Sequence, residues 1–501
     1  MPQEPIATWV CMLCGYAHYG PEPPDPCPVC GASREAFERQ DAEPAPKPSA
    51  PTAWRCVICG YVHAGVAPPA ECPVCGATAD EFEPHETPAQ TIHAASLSRP
   101  LRLVIVGAGI AGLSAAEAAR DTSPDAEIVL IGDETAPPYY RLNLSRYLAD
   151  EIEPAVLPMR PPAWYAEKRI RIVSGRKVRA IDLEAQAVAL DDGDREPYDR
   201  LVLACGAHPF IPPIPGATLE GATAFRTIED AERLLRHATP GAPIACVGGG
   251  ILGLETAGGL AKRGADVTVL EGFDWLLPRQ LDPDSAAMLE RHAAGLGIKV
   301  RFRAKPAAID GDRRVRCVRL EDGAEIPAAL AVIATGVRAN THLARSAKIA
   351  VNQGIVVDDG MAASAPGIYA AGDVAEHQGT LYGLWEPARL QGVVAGINAA
   401  GGQATFASVP RANTLKVLGL GLFSVGVAMP EDGSYDVVCG RGEGTSARYV
   451  FREGRLAGAV LVGDTTLAAK AAAAVRDRRE AAALLLRQPT ADAIGRWLRD
   501  E

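Results

Sequence analysis

The hydrophobic rhythm of the chain changes near residue 100. From Leu101 the run LRLVIVGAGIAGLSAAEAAR sets an apolar segment, a glycine turn and an alanine-rich segment in succession, and EIVLIGDE follows as a second apolar run. Short apolar runs bounded by glycine read as buried strands, and the longer alanine-rich stretch reads as a helix. The succession returns from Pro243 in PIACVGGGILGLETAGGLAKRGADVTVLE. Strands alternating with helices predict an α/β architecture built on parallel sheets. Residues 39–53 (RQDAEPAPKPSAPTA) instead carry four prolines and no apolar period, which reads as a semi-extended tether. A second tether runs from Pro84 to about Pro100. No run of ~18 apolar residues occurs, so no membrane-spanning helix is expected.

Composition sharpens this picture at the N-terminus. With 501 residues and a prior of ~150 per domain, three or four units are expected. Of the net charge of −11, residues 1–90 hold −8, from 12 acidic and 4 basic residues. Such an acidic arm is repelled by nucleic acid and attracted to basic protein surfaces. Met1–Trp9 lacks the basic and apolar regions of a secretory signal, so a reducing cytoplasmic location is expected. In that compartment cysteines read as ligands before disulfides.

Eight of the 12 cysteines lie in residues 1–90, and Cys205, Cys246, Cys317 and Cys439 are scattered singly and read as core thiols. Residues 9–38 and 54–83 align without gaps at an offset of 45, with 17 of 30 positions identical. Each copy holds two CxxC pairs: Cys11, Cys14, Cys27 and Cys30 in the first, Cys56, Cys59, Cys72 and Cys75 in the second. Two facing C-x2-C turns make a tetrahedral S4 site suited to iron or zinc. A module of ~30 residues buries too little apolar surface to fold unaided, so the metal supplies much of its stability. With four thiolates filling the shell, His18 and His63 read as turn residues.

The repeated strand–turn–helix pattern carries Gly107, Gly109 and Gly112 in its first copy and Gly248, Gly250 and Gly253 in its second. In a dinucleotide fold the first glycine makes the tight turn, the second admits the pyrophosphate, and the third lets helix pack on strand. The pyrophosphate sits on the helix N-terminus, where free N–H groups and the dipole favour anions. Glu134, or else Asp133 beside it, and Glu271 then stand where a ribose diol binds, and Glu271 would repel a 2′-phosphate, favouring NADH over NADPH. Two such sites in one chain imply two dinucleotides, a bound flavin and an exchanging nicotinamide.

Further segments carry a family resemblance. LVLACGA, VIATGV and APGIYAAGDVA resemble the crossover segments and the second flavin motif of two-dinucleotide pyridine nucleotide oxidoreductases, which implies that Gly372 and Asp373 meet the flavin ribityl chain. PPYYRLNLSRYL resembles NADH:rubredoxin reductases and the large subunit of NAD(P)H nitrite reductase, and implies Arg141 and Arg146 near the flavin. The chain after residue 400 lacks the cysteine set of a siroheme and four-iron centre, which weakens the nitrite reductase reading. Glu255 matches a family glutamate near the nicotinamide, and reads otherwise as a satisfied helix carboxylate. The W, Y, F trio and CPVCG knuckle of each copy resemble the rubredoxin-like domain of rubrerythrins, which implies iron in place of zinc.

The expected architecture is a two-dinucleotide-binding flavoprotein fold with FAD and NAD Rossmann-like domains, two N-terminal rubredoxin-like knuckles and a C-terminal α+β domain. Its limits are knuckles at 6–40 and 54–86, linkers at 41–53 and 87–100, FAD-binding parts at 101–215 and 326–402, an NAD-binding domain at 216–325 and a tail domain at 403–501. No cysteine lies between Leu101 and Ala204, so the thiol acceptor of the disulfide reductases is missing beside the flavin. Electrons are therefore expected to pass from NADH through FAD to two iron centres, and the family resemblance implies that a helix starting near Pro387 directs its dipole at the flavin. Rubrerythrin, superoxide reductase, flavodiiron proteins and a rubredoxin-dependent hydroxylase are the acceptors implied by resemblance. The competing expectation is a pair of zinc ribbons that only dock partners.

Overall fold

The computed structural model describes residues 7–11, 17–20, 22–25, 34, 37–40, 53–85, 99–415, 418–430 and 432–500. The chain forms two compact units: Met1–Thr52 with Gly65–Ala67, and Ala53–Ala64 with Pro68–Glu501. In the first, strands Ala17–Gly20, Ala7–Cys11 and Phe37–Gln40 make an antiparallel sheet with Trp9 opposite His18 and Arg39. Cys14, Cys27, Cys30 and the side chain of Cys11 lie outside the described residues.

The second unit opens with the same small sheet. Val62–Ala64, Ala53–Cys56 and Phe82–Pro84 pair antiparallel, with Trp54 opposite His63 and Pro84. Two parallel five-stranded sheets follow. The first runs Ile368–Ala370, Arg200–Leu203, Arg102–Val106, Glu127–Ile131, Ile170–Val173. Helices Ile110–Thr122 and Trp385–Ala399 pack together so closely that a Cβ on Gly392 would meet the Ala111 carbonyl oxygen at 2.2 Å.

The second sheet, Ala222–Ala224, Leu330–Ile333, Pro243–Val247, Asp266–Leu270, Lys299–Arg301, is inserted between strands of the first. Each parallel sheet has a three-stranded antiparallel companion: Val178–Asp182, Ala187–Leu190 and Arg195–Pro197 for one, Pro306–Gly311, Val315–Leu320 and Glu325–Pro327 for the other. Leu330–Ile333, within the segment expected to rejoin the FAD-binding part at 326, pairs in the inserted sheet, because its four buried apolar residues continue that sheet's core.

The C-terminal domain is an antiparallel sheet of five strands, Ala412–Leu415 at one edge and Tyr435–Gly442 at the other, covered by helices Ala468–Arg476 and Ala491–Arg499. Phe423, Phe451 and Ile494 are buried between sheet and helices. This is the α/β plus α+β architecture the pattern predicted. The scattered cysteines divide: Cys246 is buried, Cys205 and Cys317 are half-buried, and Cys439 is exposed, so the expectation of four core thiols is corrected. Cys439 lies on an edge strand with mostly exposed or half-buried positions. Among the described residues, no helix is long and apolar enough to cross a membrane.

Candidate redox site

The first glycine turn joins Arg102–Val106 to Ile110–Thr122 with Gly107 at φ +115°, where a Cβ would meet the Ala204 carbonyl oxygen at 2.0 Å. A Cβ on Gly112 would lie 1.9 Å from the Gly107 oxygen, so helix and turn are in backbone contact there. Gly109 differs: nothing lies within 4 Å of its Cβ position, and no side chain caps the helix it begins. Uncapped first-turn N–H groups facing open space fit a pyrophosphate. The turn opens into a cavity of about 470 Å³ whose lining includes Glu134, Arg141, Gly372 and Asp373, within the range for a cofactor site.

Glu134 lies three residues beyond strand Glu127–Ile131 and accepts from the Tyr139 hydroxyl at 2.7 Å and from Arg141. Arg141 also donates to the Arg226 carbonyl at 2.6 Å and lies 4.9 Å from the centre of the Tyr139 ring. Burial pushes the Tyr139 hydroxyl above its ordinary range, so it donates to the carboxylate. Arg226 donates to Asp373 Oδ2 at 2.9 Å, and Gly372 N–H to Gln391 Oε1 at 2.9 Å. Arg226 and Gln391 carried no recognisable motif; both are met only in three dimensions, 147 and 19 residues from their partners.

The second turn repeats the geometry. Gly248 has φ +112°, a Cβ on Gly253 would meet the Gly248 oxygen at 1.9 Å, and Gly250 again faces open space before an uncapped helix, Ile251–Lys262. Glu271 is buried beside it and accepts from the N–H groups of Gly249 at 2.8 Å and Phe273 at 2.9 Å. Glu255, one turn into the helix, is buried and accepts from Ser145 Oγ at 2.6 Å.

Arg146, expected near the flavin, is not among the residues lining the 470 Å³ cavity. It donates to Glu71 at 3.0 Å and Glu151 at 3.3 Å, and its guanidinium lies over Gly76 of the second cysteine knuckle. The helix Leu144–Leu148 carries Ser145 toward Glu255, and the adjacent Arg146 points the other way. Successive helical residues do not share a face.

In that knuckle the ligating atoms of Cys56, Cys59, Cys72 and Cys75 all lie within 4.8 Å of one another, and all four residues are buried. Sγ separations are 3.6 Å for Cys56–Cys75 and 3.5 Å for Cys59–Cys72. A tetrahedral S4 site with ~2.3 Å bonds has edges of about 3.8 Å, so the cage fits one iron or zinc ion. Gly60 and Gly76 each return an N–H at 2.9 Å to the carbonyl of the first cysteine of their pair, closing both CxxC turns alike. Hydrogen bonding among the sulfurs pushes the Cys59 thiol up and pulls Cys72 down: four crowded sulfurs ionise together only around a cation.

The knuckle's small core of cysteines, Val74, Ala77 and Phe82 continues into Tyr140, Leu142 and Trp385 of the flavoprotein body. Leu142 and Trp385 also line the 470 Å³ cavity, so the two candidate sites share a wall. Trp385 opens helix Trp385–Ala399, two residues before the expected Pro387, and its ring stands 5.9 Å from Tyr140. Cys205 lines the same cavity, donates to the Asn340 carbonyl at 3.3 Å, and is pushed up to about 12 by burial. A neutral thiol of that kind is a poor electron-pair donor.

Two glycine turns on two parallel sheets, each followed by a carboxylate at the next strand end, define the class of FAD- and NAD(P)H-binding oxidoreductases. The match to Pyridine nucleotide-disulphide oxidoreductase over residues 101–400 shows that the chain belongs to that family. Residues 9–38 and 54–83 match the Rubrerythrin, rubredoxin-like domain, and 412–479 match the Rubredoxin NAD+ reductase C-terminal domain. The chain is thus similar to rubredoxin reductases, with a rubredoxin-like domain fused in front. It is 36% identical over 368 residues to a nitrite reductase [NAD(P)H] of Bacillus subtilis, covering 73% of this chain and 46% of the relative. It is 33% identical over 401 residues to an NADH oxidase of Methanocaldococcus jannaschii, covering 74% and 89%. The crystal structure of NADH:rubredoxin oxidoreductase from Clostridium acetobutylicum superposes with a TM-score of 0.66 at 28% identity, over 79% of this chain and 99% of that one. The chain spans about half the length of the first curated relatives it matches.

Proposed function

We propose that this chain takes a hydride from NADH and delivers its electrons, through FAD, to Fe(Cys)4 centres in its own N-terminal knuckles and on to an external acceptor. The observation that carries the reading is the wall of Leu142 and Trp385 shared by the cysteine knuckle and the cavity at the first glycine turn. Bound FAD would supply the conversion of a two-electron donor into single electrons for iron. The balance is one NADH and two ferric sites to NAD+, a proton and two ferrous sites. Tyr140, Leu142 and Trp385, each half-buried, pack against the cysteine cage, and helix Trp385–Ala399 aims its N-terminal dipole toward the cavity.

Residues 107, 109, 112, 134, 141, 372 and 373 hold FAD in this reading. Gly248, Gly250, Gly253 and Glu271 hold NADH, with Glu255 beside the nicotinamide. Two irons per chain belong to the proposal, on the strength of the duplicated ligand set. So do the domain limits, with the return to the FAD-binding part moved to after Ile333. Free thiols fit a cytoplasmic location. A rubrerythrin, superoxide reductase, flavodiiron protein or rubredoxin-dependent hydroxylase fits as acceptor, and an acidic arm suits a basic docking face.

An anaerobic NADH titration with metal analysis tests the reading. About two irons per chain, and a thiolate-to-iron band that bleaches with the flavin, are expected. Zinc in the knuckles with bleaching of the flavin alone would overturn it and leave the knuckles as docking modules.

A further inference from the structure

The two knuckle copies share their metal ligands and turn glycines, yet two of the residues that fasten the second copy to the flavoprotein body, Arg55 and Glu71, fall where the copies differ. Arg55 Nη1 donates to Glu386 Oε1 at 2.8 Å, and Arg55 also pairs with Glu83. Glu83 receives Arg476 at 3.0 Å, and Glu386 receives Arg389 at 2.8 Å. The result is an alternating row, Arg476, Glu83, Arg55, Glu386, Arg389. Its middle three side chains are only 13%, 18% and 11% exposed. A second anchor, Glu71 to Arg146 at 3.0 Å, lies on the rim.

At the offset of 45, Arg55 corresponds to Val10 and Glu71 to Pro26, whereas Glu83 corresponds to Glu38. The first copy on the same seat would bring Glu38 toward Glu386 with valine where the shared cation stands. Removing one member of a buried charge row leaves its neighbours desolvated and uncompensated, the costly case for ion pairs. In the apolar part of the seat Ile58 corresponds to Leu13, and both turn glycines are shared.

We infer that the seat built from Tyr140, Trp385, Glu386 and Arg146 is reserved for the second copy, and that the first copy serves as the onward carrier. This rests on the electron-transfer reading above. The second copy accepts one electron from reduced flavin, passes it to the ferric first copy, returns to the ferric state and accepts the flavin's second electron. Only electrons move between the copies, and the one proton of the balance above leaves the reduced flavin. One hydride's two electrons then rest one on each copy, and the first copy gives its electron to an external one-electron acceptor protein.

The test uses the full chain in three forms: wild type, Arg55→Val with Glu71→Gln, and Cys59→Ser with Cys75→Ser. Hydrogen exchange is followed at amides 56–61 and 384–389, and iron bleaching by anaerobic stopped flow with NADH, with metal counted in each sample. In the wild type, iron bleaches in two phases of equal amplitude. Arg55→Val/Glu71→Gln, at full metal content, is expected to speed exchange at both segments at least tenfold and slow the fast phase at least tenfold. Cys59→Ser/Cys75→Ser, with one iron per chain, is expected to bleach that iron at least tenfold more slowly than the wild-type fast phase. Wild-type exchange in the first variant, or fast bleaching of the first copy's iron in the second, would overturn the assignment of the seat. Flavin bleaching without iron bleaching in every form, wild type included, would overturn the electron-transfer reading, while the exchange comparison still reports on the seat.

Discussion

Alanine at Gly109 and alanine at Gly112 are the same chemical change three residues apart, and the structure predicts opposite consequences. At Gly109 the backbone φ is −85° and the added methyl meets nothing within 4 Å, so the apo fold loses only the difference between a glycine and an alanine cap, about 0.5 kcal/mol. That methyl enters the space where a pyrophosphate approaches the helix. Losing one charge-assisted N–H contact costs about 1.5–3 kcal/mol, roughly ten- to 150-fold in Kd for FAD. At Gly112 the methyl would stand 1.9 Å from the Gly107 carbonyl oxygen and 3.2 Å from Leu130. Helix and turn must part by about 1.4 Å to restore an ordinary C···O contact of ~3.3 Å, and overpacking of this kind costs about 1–3 kcal/mol. In a domain of this size that lowers Tm by roughly 2–12 °C. The assay is thermal unfolding of the apoproteins alongside FAD titration by fluorescence quenching. Gly109→Ala should weaken FAD binding at nearly wild-type Tm, and Gly112→Ala should lower the Tm of the apoprotein. A Gly109→Ala protein with wild-type FAD affinity, or an apo Gly112→Ala protein with wild-type Tm, would refute the reasoning from backbone clearance.

Three further outcomes are expected. Glu271→Gln removes the charge that repels a 2′-phosphate, and its single amide oxygen still accepts from one of the Gly249 and Phe273 N–H groups, so the NADH over NADPH ratio of kcat/KM should fall about tenfold; an unchanged ratio puts discrimination elsewhere. Hydrogen bonds from the guanidinium groups of Arg99 and then Arg102 hold Asp199 well below the usual carboxylate range. Its folded-state pKa is depressed, so its stabilisation is present above about pH 4 and fades as pH falls. Asp199→Asn should therefore lower Tm at pH 7 more than at pH 3 by calorimetry, and an equal loss at both would contradict the linkage. Stripping the metal with a mercurial should raise amide exchange across 53–85, since the knuckle's core consists largely of its four cysteines; protection that survives metal loss would show that packing alone holds the knuckle.

Local signals were strong wherever the chemistry is local. A glycine that must let a helix touch its own turn, a carboxylate at the next strand end, and four thiols in two CxxC turns are set by a handful of neighbouring residues. Gly107 and Gly112 accordingly meet in backbone contact, Glu271 lies beside the second glycine turn, and the cysteines of the second copy gather in one cage. Arg146 shows the opposite case. Its sequence neighbourhood resembles a flavin-binding segment, but which side of a five-residue helix an arginine takes depends on what packs there, and a cysteine knuckle with Glu71 at its rim packs there.

By itself the sequence determined that this chain has two glycine turns, a CxxC…CxxC ligand set written twice and a tail domain, because each depends on short-range geometry and on periodic burial. Only the tertiary structure decided that Trp385, Tyr140 and Leu142 bring the cysteine cage of the second copy to the wall of the cavity at the first glycine turn. It also decided that Arg55 completes a charge row with partners 28 and 331 residues away. The physical reason is that buried charges draw their stability from partners of any sequence separation, and no pattern along the chain records which of them folding brings together.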